Sequence, residues 1–418
     1  PFFIWKLEFI DVFEEKGGFD VVIANPPYNA QLSKEERILF KNKYESVRTG
    51  RQDTAAIFVE RAKQIGNQNM QFAYILPYRL FSRKRNHGQF QIYTLLNFSI
   101  KNIIYLGTDV DFSANDEFMI LIMSSEHIDD NKILVAFKPA LNLLDRKDIY
   151  REILQQDFVN RKEVNLNLVK HDLSLIKKIE GAAVLLGTIC EVKDGIVPYI
   201  REKLIANIKI DERYVKFAGI AGKYVLQKYL FSYEPLYLCY DMNEAKKFIK
   251  DKVELRKVQL RERDIFLHRK IVSSQNSSVL KGAIDENKTF VSNSLHSIYL
   301  KNEYVGKYAL EYILALFNSS LMNYYHNFLR LKATDLHPQI LVNDLKKLPI
   351  FPVPKNQQNK FLEIVNKILA TTKDSDYLEN SEKQEKVRAY EKQIDQLVYK
   401  LYALTPKEIK IVENGKTT

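Results

Sequence analysis

The sequence predicts an α/β domain, then an α+β domain, then a C-terminal helical segment. Three observations carry this. Strand-length apolar runs alternate with stretches of helical period over residues 1–137. From Leu185 the pattern changes to short strands separated by turns. Beyond Pro354, apolar positions recur at helical spacing without a strand signal. A chain of 418 residues has room for two or three domains, each with its own core. The expected divisions are 1–137, a helical connector at 138–180, 181–354, and 355–418.

In the first domain, Phe19-Asp20-Val21-Val22-Ile23-Ala24 reads as a strand that delivers Asn25-Pro26-Pro27-Tyr28 at its carboxyl end. Residues 31–49 are polar and charged and read as a helix and a loop. Ala55, Phe58, Val59 and Ala62 stand at helical spacing, and Gln71 to Pro77 is a short buried strand stopped by proline. Tyr78 to Arg85 is basic, with Arg79, Arg83, Lys84 and Arg85 interleaved with Tyr78 and Phe81. A helix over 89–98 and a strand over 102–106 follow, and the strand at 117–123 is expected to form a hairpin with 132–137.

The Asn-Pro-Pro-Tyr turn is the chemically expressive stretch. In open α/β sheets, ligands bind just beyond the carboxyl ends of the strands. Asn25 offers a side-chain oxygen there and Pro26 a backbone carbonyl, two acceptors for the hydrogens of an amine. Their pull favours the charge that develops when the amine's lone pair attacks. Proline fixes φ and lacks an N–H, so the turn is stiff and its carbonyl can be aimed. Tyr28 supplies a flat face for an unstacked base.

On these residues the chain resembles the N6-adenine DNA methyltransferases of the amino-methylating family, whose motif is Asn-Pro-Pro-Tyr/Phe after a buried strand. The resemblance implies that 1–137 is the C-terminal half of a Rossmann-like methyltransferase sheet whose last strand is antiparallel. It further implies that Asn25, Pro26, Pro27 and Tyr28 form the catalytic turn. Phe112 would lie on the other face of a flipped adenine, and S-adenosylmethionine would be the methyl donor, with no metal. The family's donor site needs a Gly-rich turn after a first strand and an acid after a second, and no such set occurs in this sequence. The expectation is therefore a C-terminal fragment that lacks the donor-binding lobe and is inactive alone. Asp11, Glu14 and Lys16 superficially resemble a metal-nuclease triad but crowd before the motif strand.

Composition agrees with a nucleic-acid partner. The chain is 46% hydrophobic and 28% charged, with a formal charge of +11 that favours a polyanion. No apolar run approaches a membrane span, and no signal peptide is evident. Cys190 and Cys239 have neither metal-ligand spacing nor a cystine framework, which fits buried thiols in a reducing cytoplasm.

In the second domain, Leu186 to Tyr199 opens with a strand, then Gly195-Ile196 and a turn. Leu316-Phe317-Asn318-Ser319-Ser320-Leu321, within an expected helix over 310–325, and Val342 to Ile350 follow in order. These segments resemble the TaqI-like C-terminal specificity domain of type II restriction-modification enzymes, type IIG among them. The resemblance implies double-stranded DNA as partner, with Lys193, Arg269, Lys270, Arg330 and Lys332 as candidate phosphate contacts beside the basic run of the first domain. Ser292, Asn293 and His296 are of the kind that reads base edges. At the C-terminal end, the apolar stripes at 361–369 and 394–402 are expected to pair as helices, and Thr405-Pro406-Lys407-Glu408 reads as a capping box. Two other functions fit parts of the pattern: a DNA-binding specificity module without catalysis, and amino-methylation of protein glutamine or RNA.

Overall fold

Phe19–Ala24 (β1) forms because its apolar residues and Asp20 sit in an extended run that Pro26 and Pro27 cannot continue, since neither has an N–H for the ladder. The structure is a computed structural model, and it describes residues 3–28, 30–82, 84–108, 116–126, 128–181, 183–199, 201–219, 224–330 and 339–415. These fall into two units that divide between Asp172 and Leu173.

The first unit is a six-stranded sheet. Its strands are β1, Gly66–Pro77 (β2), Ser99–Gly107 (β3), Phe118–Ser124 (β4), Lys132–Phe137 (β5) and Arg151–Leu154 (β6), in the order β1-β2-β4-β3-β5-β6. β1 runs parallel to β2, and β4 runs antiparallel to both of its neighbours. The hairpin expected between 117–123 and 132–137 does not form. β4 is apolar on both faces and takes a central place between β2 and β3, while β5 pairs in parallel with the other edge of β3. Nor is the stretch after residue 137 simply helical. Arg151–Leu154 pairs with β5, and as an edge strand it buries only Ile153, too little to show as a strand period.

The helix Thr54–Ile65 covers part of this sheet with Ala55, Val59 and Ala62, while Phe58 faces outward. Its start is fixed by Asp53, whose side chain accepts from the Ala55 amide at 3.1 Å. The polar stretch after the turn holds the helix Lys34–Lys43, closed at its start by a reciprocal Ser33–Glu36 capping box.

The second unit contains an antiparallel sheet in which Gly282–Asp285, Lys270–Ser274, Leu295–Leu300 and Cys190–Asp194 lie in that order. A second sheet joins Phe290–Val291, Tyr214–Ala218, Leu236–Cys239 and Ile205–Ala206. The helix expected over 310–325 is two helices, Leu310–Asn318 and Ser320–Leu329. Ser319 between them is extended, donates its hydroxyl to the Leu316 carbonyl at 2.7 Å and caps the second helix by accepting from the Met322 amide at 3.2 Å. The helices Lys355–Thr372 and Ser381–Leu401 pack together, and the Thr405–Glu408 capping box starts Pro406–Asn414. Asp395 accepts from the Ser320 amide at 2.7 Å, and Tyr312 donates to the Phe351 carbonyl at 2.6 Å, so these C-terminal elements belong to the second unit's core. Among the described residues no helix is long and apolar enough to cross a membrane.

Candidate active-site turn and nucleic-acid surface

The turn begins where β1 ends. Asn25 is exposed, Pro26 is buried, Pro27 is exposed and Tyr28 is half-buried. The Tyr28 hydroxyl donates to Asn25 Oδ1 and lies 3.4 Å from the Ile75 carbonyl of β2. The Tyr28 ring rests against Phe118, the first residue of β4, with ring centroids 5.2 Å apart and planes tilted by 53°. Burial raises the Tyr28 phenol above its ordinary range, and the nearby Arg79 cation opposes that shift. Tyr28 thus joins Asn25, at the end of β1, to β2 and to Phe118 on β4, which lies beyond β2. Phe112 lies outside the described residues.

Asp53 and Thr54, at the start of the helix that the sequence predicts after the turn, lie outside the candidate site residues and yet hold the turn. Thr54, the first residue of its helix, donates its hydroxyl to the Pro27 carbonyl at 2.7 Å. Beside it, Asp53 Oδ2 accepts from Arg79 Nε at 3.2 Å and from Nη2 at 2.8 Å, and Arg79 Nη1 also donates to Asp116. An Asp-Thr pair immediately before a helical run is an N-cap signature, so this much was readable. The partner across the fold was not.

Arg79 is therefore not a phosphate contact. It is 4% exposed and its charge is taken up by two carboxylates. Lys270 needs the same correction. It is fully buried, with its ammonium 2.6 Å from Asp285 and 3.0 Å from the Phe266 carbonyl, and burial lowers its pKa. Arg269 reaches solvent, but its guanidinium forks onto Glu286 at 2.8 Å and also meets Glu311 at 2.7 Å. Those bonds raise its pKa and spend its charge within the domain. Lys193 is half-exposed and 3.2 Å from Glu191. Arg330 lines a cavity of about 360 Å³ with Lys228, Asn323, Tyr324 and Asn327. Arg83 and Lys332 lie outside the described residues, as do the side chains of Lys84 and Arg85, whose backbone opens the helix Lys84–Asn97.

Ser292 and His296 are not base readers either, because both are buried. The Ser292 and Ser294 hydroxyls pair at 2.6 Å. His296 bridges the Ile340 carbonyl at 2.9 Å and Asp194 at 3.1 Å, which holds the Asp194 carboxyl below its ordinary range. The two cysteines are buried free thiols.

Two family models match parts of the chain. The Eco57I restriction-modification methylase family matches residues 2–112, which include the whole turn. The TaqI-like C-terminal specificity domain matches residues 206–350. This chain carries one segment similar to restriction-modification methylases and one similar to TaqI-like specificity domains. Among its relatives is a Methanocaldococcus jannaschii protein named as a candidate type II restriction enzyme and methyltransferase, 25% identical over 97% of this chain and 33% of that protein. Among solved structures, the type IIL restriction-modification enzyme MmeI in complex with DNA covers 99% of this chain at 11% identity and a TM-score of 0.55, which supports a shared fold. The type IIG restriction endonuclease BpuSI covers 92% of the chain at 13% identity and a TM-score of 0.35. The chain spans 33% of the length of the curated relative, and 59% and 54% of those two structures.

Proposed function

We propose that the chain carries the amine-orienting part of a site-specific DNA adenine N6-methyltransferase of a restriction-modification system, together with the domain that selects the DNA site. One observation supports this most: an exposed Asn25, backed by the stiff Pro26-Pro27 pair, stands at the carboxyl end of β1 beside the ring of Tyr28. Asn25 Oδ1 and the Pro26 carbonyl would accept the two hydrogens of an adenine amine, and the Tyr28 ring would support the extruded base.

S-adenosylmethionine is the donor that such methylases imply. Among the described residues no Gly-rich turn follows a strand. Gly17 and Gly18, at positive φ, precede β1 instead of following it. The residues present fit the amine side of the reaction and not the donor's pocket. The part assigned to this chain is to hold and polarise the amine.

The second unit, with its specificity-domain match, is the proposed DNA-binding part. A DNA-binding module without transfer is the second reading, favoured by that same lack of donor-site residues among those described. The deciding experiment uses the whole protein as its gene encodes it. Asn25→Ala should abolish methyl transfer to duplex DNA while DNA affinity stays within a few-fold. Retained transfer would overturn the catalytic assignment. Binding should weaken steeply as salt rises, and neutralising Arg83, Lys84 and Arg85 together should reduce the slope of log affinity against log salt by up to about 3. An unchanged slope would remove those residues from the interface.

A further inference from the structure

We propose that Arg79 is a positioning residue for the Asn-Pro-Pro-Tyr turn, clamping its two supports to each other. The proposal rests on the methyl-transfer reading of that turn. The turn is held from two sides. On one side Thr54 donates to the Pro27 carbonyl at 2.7 Å, and Thr54 begins a helix whose cap is Asp53. On the other, the Tyr28 ring leans on Phe118 at 5.2 Å, and Phe118 opens β4 just after Asp116.

Arg79 joins these supports. Its Nε and Nη2 donate to Asp53 Oδ2 while Nη1 donates to Asp116. Its neighbour Tyr78 adds a backbone bond to the Glu117 carbonyl at 2.7 Å. Asp53 is fully buried and Arg79 nearly so, and the guanidinium's planar fork sets a fixed angle between the two carboxylates. The helix start and the β4 start are thereby kept at one spacing, and the turn spans the gap between them. An amine acceptor that is about 1 Å out of place can cost on the order of 10²-fold in rate, so a residue that fixes this spacing acts on catalysis without touching substrate.

Arg79→Ala would strand a buried carboxylate and could simply unfold the domain. The test is therefore a double-mutant cycle between Thr54→Val and Asp116→Asn in the whole protein, with kcat, KM for DNA and Tm measured for each. Asn25→Ala runs alongside as the check on the underlying reading. The two sites make no bond to each other, so coupling between them runs either through the turn that both support or through Arg79 and Asp53. Hydrogen exchange away from the turn separates the two routes.

The expected result is a fall in kcat of about 10-fold or more for each single variant, with KM within about 2-fold, and a double variant no worse than the poorer single by more than about 2-fold. Losses that multiply, or kcat unchanged in both singles, would overturn the clamp while Asn25→Ala remained inactive. An active Asn25→Ala would overturn the methyl-transfer reading itself. A readout independent of turnover is hydrogen exchange. Asp116→Asn should speed exchange at the amides of residues 55–57 as well as at the start of β4. Effects confined to β4 would show that Arg79 transmits nothing.

Discussion

The Tyr28 hydroxyl donates to Asn25 Oδ1, the oxygen that an adenine amine would need. The free turn is thus satisfied internally, and a base must displace that hydroxyl to engage Asn25. Tyr28→Phe keeps the ring and removes the competing donor. The expected outcome is a KM for DNA lower by about 2–10-fold, the worth of one net hydrogen bond, with kcat little changed. Tyr28→Ala should instead lose kcat, because the base loses its supporting face. Steady-state methylation kinetics separate the two, and a raised KM in Tyr28→Phe would count against competition for the oxygen.

Lys270 and Asp285 form a buried pair at 2.6 Å, and Asp285 also accepts from the Thr289 amide and hydroxyl, each at 2.8 Å. Removing only the cation leaves a carboxylate out of water. Lys270→Met should destabilise the second unit by about 3–5 kcal/mol in urea denaturation, and the paired change Lys270→Met with Asp285→Leu should recover part of that loss. Full stability combined with weakened DNA binding would restore Lys270 to the surface role read from the sequence.

His326 is buried in the helix Ser320–Leu329, and neither ring nitrogen has a hydrogen-bond partner among the described residues. Burial, aided by the Arg330 charge, pulls its pKa down to about 4. The folded state therefore holds the neutral ring at pH values where an unfolded chain, near 6.5, already binds a proton. Stability is full above about pH 6.5, declines as the pH falls towards 4, and loses at most about 3 kcal/mol from this group. Thermal melts of the wild type and His326→Leu at pH 7 and pH 4.5 check this. The gap between the two pH values should be smaller in the variant, and equal gaps would rule out His326 as a source of acid sensitivity.

The motif strand and its turn were legible because an apolar run followed by two prolines leaves few backbone choices. The Thr405–Glu408 cap was legible for a similar reason, since every residue involved lies within four positions. What could not be read was the destination of charge. Arg79 reads as one more cation in a basic run until folding places it against Asp53, 26 residues before it, and Asp116, 37 after it. Lys270 looked like half of an Arg-Lys pair open to phosphate. Its position on a central strand turns one of those neighbours inward and the other out. Strand order was equally hidden, because the apolar content of β4 shows that it is buried but not between which neighbours.

That strand order has a consequence for how the chain is made. β4 follows β3 in sequence yet lies between β3 and β2. Until Phe118–Ser124 leaves the ribosome, the edges of β2 and β3 that it will join have no ladder partner in this sheet. Tyr28 likewise has no Phe118 to lean on. Open edges of that kind are where nascent chains pair with the wrong strand. The turn can take its final shape only once a segment some ninety residues downstream has slotted home, so the chemistry of Asn25 waits on the synthesis of β4.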